Sequence, residues 1–159
     1  MEKPTIKVLL LPTLLNVIEK SVGTKMFQTI TANVDGKKKD ITEEGNLSCA
    51  FYVSGILTLF GLLDRVRATV AGTIESLELS GWKKTKDLAP GVVVVWDQPI
   101  DGSHDHAHIG FYVGKDTAIS NSSKNKTPAK HHITFGNLSN KTHRPIRSIY
   151  KHSKLSYDK

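Results

Sequence analysis

One cysteine in 159 residues, Cys49, excludes an internal disulfide and leaves too few thiolates for the usual structural zinc site. Aromatic residues are scarce, at 7%, and few of them lie among the scattered lysines, which argues against a stacking surface for nucleic acid. No apolar run is long enough to span a bilayer. The best candidate, residues 7–18, is interrupted by Pro12 and Asn16. No small-residue cleavage site follows it, so no secretory signal is read there. Neither Gly-x-x-x-x-Gly-Lys-Ser/Thr nor Gly-x-Gly-x-x-Gly occurs, which removes the common nucleotide-binding loops. Internal repeats and linkers are also lacking. A single domain over residues 1–159 is therefore expected, with its core at about 45–150.

What is present is ordinary for a globular chain: 38% apolar and 23% charged residues. The net charge of +7 is unevenly spread. From Lys115 onward there are ten Lys or Arg against two acids, so the last third carries +8 and the first 114 residues −1. Such a third reads as a solvated basic face, with contact to an anionic polymer as the alternative. The lone thiol fits a reducing cytoplasm, and equally a cysteine enzyme released without a classical signal peptide.

The periodicity changes along the chain. Helices are expected over Lys7–Lys20, from Ser48 to about Leu63, and over Val66–Leu79. The second is apolar nearly all round, which marks a buried central helix. Met26–Val34 has the composition of a weak strand, Asp35-Gly36 is a turn, and Lys37–Asp40 reads as an exposed loop. After Pro90-Gly91 the pattern becomes extended. Strands are expected at Val92–Trp96, Ile109–Val113, Thr117–Asn121, His132–Phe135 and Ile146–Tyr150. Helices first and strands after predict an α+β fold, with N-terminal helices packed on an antiparallel sheet.

Cys49 lies where a polar turn, Gly45-Asn46-Leu47-Ser48, opens the central helix. A helix N-terminus favours the thiolate, the nucleophilic form. His108 follows, then Asn121, giving nucleophile, base and orienting amide in chain order. On a strand His108, Gly110 and Tyr112 share a face, and the glycine leaves room for a second group beside the imidazole. Ser120 is the rival of Asn121 for orienting His108, because alternation turns only one of them toward the site. His131 and His132 are further candidates. A different chemistry is also open: His104, His106 and His108 could bind zinc from one face of an extended segment.

Three segments carry a resemblance. Asn46-Leu47-Ser48-Cys49-Ala50-Phe51, Leu88-Ala89-Pro90-Gly91-Val92-Val93-Val94-Val95-Trp96 and His108-Ile109-Gly110-Phe111-Tyr112-Val113-Gly114 resemble the NlpC-type and CHAP-type cysteine peptidases, in order, over about residues 45–121. The resemblance implies a minimal papain-like fold whose nucleophile caps the central helix. It implies a cofactor-free thiol hydrolase with Cys49 as nucleophile and His108 as base. Its third residue would fall at Ser120, twelve positions past His108 and one before Asn121. Its substrate would be an amide in a peptidoglycan peptide. The chain has Ser48-Cys49-Ala50 where the family commonly has Asp-Cys-Ser, and Pro90-Gly91-Val92 where it has Pro-Gly-Asp. A non-hydrolytic binding module on the same fold, using the basic third, is the alternative.

Overall fold

The computed structural model describes residues 1–136 and 142–156. The fold is α+β. Helix α1 (Leu10–Lys20), hairpin β1 (Thr31–Val34) and β2 (Lys37–Asp40), helices α2 (Cys49–Leu59) and α3 (Val70–Leu79), and strands β3 (Trp82–Thr85), β4 (Val93–Trp96), β5 (His108–Gly114), β6 (Thr117–Ser122), β7 (Thr127–His132) and β8 (Ile146–His152) follow in order. The last six strands form one sheet, in the order β3-β8-β4-β5-β6-β7, with every neighbouring pair antiparallel. Among the described residues no helix is long and apolar enough to cross a membrane.

All three helices are shorter than their apolar patterns suggest, α2 and α3 for local reasons. Helix α2 stops at Leu59 because Gly61 takes a left-handed conformation. The Gly61 N–H then bonds to Thr58 O and the Leu62 N–H to Leu57 O, a Schellman closure. Helix α3 starts at Val70 because residue 67 is held elsewhere. Ser54 of α2 accepts from the Arg67 N–H at 2.8 Å and donates to the Arg67 carbonyl at 3.1 Å, and Thr69 caps the helix through Gly72 N. Lys37–Asp40, expected as a loop, is a strand. Asp35 and Gly36 both have positive φ, the two-residue turn that returns the chain in register onto β1.

The strands also depart from expectation in two places. β3 carries no alternating apolar signal, yet it pairs with β8 and anchors through Trp82, whose indole N–H donates to Leu62 O at 2.7 Å. The strand expected at His132–Phe135 lies earlier, at Thr127–His132. It is an edge strand, and so tolerates Pro128. The sheet is buried on both faces near its centre, which is why Val92–Trp96 is apolar without interruption. Val93, Val95, Ile109, Phe111 and Ile119 join the three helices in the larger core. Val94, Trp96, Tyr112 and Ala118 form a smaller cluster on the other face with Ile133 and Ile149.

Candidate active site

Cys49 is the first residue of α2, and its side chain is half-buried. Its surroundings include the start of β5. The two strands pair at Phe111–Ile119, Tyr112–Ala118 and Gly114–Thr117, and no pairing is recorded nearer the start of β5. The Tyr112 N–H bonds to Val92 O on the β4 side, so alternation turns the Ile109 N–H toward β6, beyond the end of that ladder. The Ile109 amide acts on the Cys49 thiol and pulls its pKa down. The nucleophile candidate thus stands by the start of β5, at the residue that follows His108. Cys49 and His108 line the same cavity, of about 680 Å³.

His108 is anchored from behind by a relay. Its Nε2 lies 2.8 Å from Ser120 Oγ, and the same hydroxyl lies 2.7 Å from His131 Nε2. The far nitrogen, His131 Nδ1, is 2.8 Å from the His132 carbonyl. A carbonyl can only accept, so His131 carries its proton on Nδ1 and presents a bare Nε2. Ser120 must then donate to His131 and accept from His108 Nε2–H. The network assigns the neutral His108 ring a protonated Nε2 and a basic Nδ1. Aromatic packing holds the imidazoles in place. Phe135 stacks on His131 at 3.7 Å and meets His108 edge-on at 5.4 Å, while Trp96 lies 5.9 Å from His108 and 5.4 Å from His131.

Gly110 makes the relay possible. A Cβ there would stand 2.6 Å from Ser120 Cβ and 2.8 Å from the Ile119 carbonyl. β6 and β7 pair from Thr117 to Ser122 without a register shift, so alternation holds and Ser120, not Asn121, faces His108. Asn121 is buried and donates from Nδ2 to the Gly45 carbonyl at 2.7 Å. It therefore ties β6 to the loop that precedes Cys49 rather than orienting the imidazole. Gly45 is needed there: its φ is positive, and a Cβ would lie 2.5 Å from Lys126 O.

The electrostatics differ from what a helix N-terminus alone suggests. Burial pushes the Cys49 thiol pKa up, against the amides of Ile109 and Ala50 and the positive charge of Arg144, which pull it down. Burial, with the charges of Arg144, His131 and His104, holds His108 well below its ordinary 6.5. Burial likewise lowers His131 to about 4. Both shifts favour the uncharged forms, a thiol at Cys49 and a neutral imidazole at His108.

The three alternating histidines do not converge. His108 Nε2 is engaged with Ser120, the His104 Nε2 lone pair meets Arg144 Nη2 at 2.9 Å, and the His106 side chain is largely exposed. Among the described residues no group of three or more His, Cys, Asp or Glu side chains is gathered as a ligand set. His132 turns away, with Nδ1 2.7 Å from Thr134 Oγ1. Arg144 is a site residue that no local pattern in the sequence announces. It arrives from the segment before β8 and is only 7% exposed. Its Nη1 donates to the carbonyls of Asp97 and His106, at 3.1 and 3.0 Å. The chain matches no protein-family model and no curated protein.

Proposed function

We propose that this protein is a cysteine-dependent amide hydrolase of minimal papain-like architecture. The observation that carries the reading is the His131–Ser120–His108 relay. It gives His108 a basic Nδ1 and places the ring on the cavity that Cys49 shares.

Cys49 Sγ attacks the carbonyl carbon of a bound amide while its proton passes to His108 Nδ1. The resulting imidazolium keeps its Nε2–H on Ser120. Negative charge develops on the former carbonyl oxygen, and the free N–H groups at the start of α2 are placed to receive it. His108 then returns the proton to the leaving nitrogen, the C–N bond breaks and a thioester remains. His108 deprotonates a water that attacks the thioester, releasing the acid and restoring the thiol. Because thiol and imidazole are neutral at rest, the proton moves during attack instead of beforehand. Serine suits the third position because a hydroxyl both accepts from His108 and donates to His131.

The resemblance to NlpC-type and CHAP-type peptidases supports an amide in a peptidoglycan stem or bridge peptide as the substrate. The test is hydrolysis of solubilised peptidoglycan peptides by the intact protein and by Cys49→Ala. The variant should lose at least about 10⁴-fold in turnover, as removal of a covalent nucleophile does elsewhere. Equal activity in the two proteins would end the thiol mechanism.

A further inference from the structure

We infer that Arg144 is a carboxylate-binding residue, so that the substrate carries a free carboxylate close to the amide that is cut. The inference rests on the hydrolase reading above and adds the chemical class of its substrate.

Arg144 is more than nine-tenths buried, and a guanidinium stays charged in a protein. A buried charge is costly unless it is paired. Yet the hydrogen-bond partners of Arg144 among the described residues are all neutral: two backbone carbonyls and the lone pair of His104. Two carboxylates of the neighbouring segment are turned to other groups. That of Asp97 pairs with Arg147 at 2.6 Å, and that of Asp101 lies 3.9 Å from His143 and accepts from Ser103 N. Among the described residues no acid lies within ion-pair distance of Arg144, and none lines the cavity. Lys124 and Lys130 are both on the lining, the latter already paired with Glu19. A cation held rigidly by neutral acceptors, in a cavity without acids, is completed by an anion from outside.

The position selects which anion. Arg144 lies 5.4 Å from the Phe135 ring, which itself packs against His108. Its charge bears on both Cys49 and His108. Backbone carbonyls occupy Nη1 and His104 takes one Nη2 proton, which leaves Nε–H and the second Nη2–H, two parallel donors, for a planar carboxylate. A carboxylate seated there brings a neighbouring carbonyl to the thiol and takes no part in bond making or breaking.

Alkylation of Cys49 by iodoacetate and by iodoacetamide, in the native protein and in Arg144→Gln, tests this without any substrate. The native protein should favour iodoacetate, and the iodoacetate-to-iodoacetamide rate ratio should fall about tenfold in Arg144→Gln. Altered thiol ionisation cancels in the ratio. Loss of Arg144 also relieves its repulsion of protonated His108, which would push the ratio up, so a fall cannot come from the imidazole. A reactive Cys49 with an unchanged ratio overturns the inference and leaves the hydrolase reading standing. A thiol inert to both reagents overturns both. Should Arg144→Gln not fold, the native protein supplies the readout: millimolar glutarate should protect Cys49 from iodoacetamide and glutaramide should not. Equal protection, or none, overturns the inference.

Discussion

On the helix side of the six-stranded sheet, Val93, Val95, Ile109, Phe111 and Ile119 bury against Leu14, Ile18, Val53, Ile56 and Leu57. On the opposite side the alternate residues of the same strands are Trp96, His108, Gly110, Tyr112 and Ser120. The first face is aliphatic and takes its stability from burial area. The second is aromatic and polar, and holds His108, Ser120 and His131 by a chain of hydrogen bonds. One strand thus serves both faces at a two-residue period. Ile109 anchors β5 in the larger core, while His108 and Gly110 on either side of it build the relay. The thiol is the exception, since it comes from the first residue of α2 and lines the cavity that His108 and Ser120 line.

If the two faces are separable in this way, damage to each should have a different signature. Leu57 is fully buried in the helix-side core. Leu57→Ala should cost about 2–5 kcal/mol in denaturant unfolding. Turnover per folded molecule should change less than about twofold, because no relay atom depends on Leu57.

Acid should act on the relay face. His131 titrates at about 4 in the folded protein against 6.5 when unfolded, and His108 is also held well below 6.5. Between these limits the unfolded chain binds more protons, so stability is full above pH 6.5 and is lost as pH falls toward 4. The loss from His131 alone is about 3 kcal/mol at the acid end. A melting temperature that stays flat over this window would contradict the buried neutral relay.

Gly110→Ala joins the two signatures. The new Cβ would press on Ser120 and on the Ile119 carbonyl. A destabilisation of about 1–3 kcal/mol is expected, together with a fall in turnover as Ser120 is displaced from His108. Turnover measured on the folded fraction separates the two effects. Ser120→Ala is the mildest change and the most specific. It should reduce kcat about 10–100-fold, with KM nearly constant, as loss of an orienting partner does. Asn121→Ala should instead lower stability by about 1–3 kcal/mol, because the Gly45 carbonyl loses its donor. If Asn121→Ala were the more damaging to kcat, the assignment of roles to these neighbours would be reversed.

Much of this arrangement is legible in the sequence. The turn-then-helix context of Cys49, the glycine two residues after His108 and the uninterrupted Val92–Trp96 run are local patterns, and each reports a local constraint. Lys37–Asp40 and Trp82–Thr85 were not legible as strands, because their pairing comes from a turn geometry and from a distant partner, not from alternation. The choice between Ser120 and Asn121 could be posed but not decided. It depends on the phase of β6 against β5, which one register residue would invert.

By itself, then, the sequence determined the α+β class, the buried central helix with a thiol at its start, and a histidine on a strand beside a glycine. These follow from periods of 3.6 and 2 and from the chemistry of single residue types. Only the tertiary structure decided that His131 completes the relay, that Arg144 enters the cavity without a carboxylate partner, and that burial outweighs the helix N-terminus at Cys49. Each of these depends on groups distant in the chain and on the water their packing excludes, and desolvation has no signature in a string of residues.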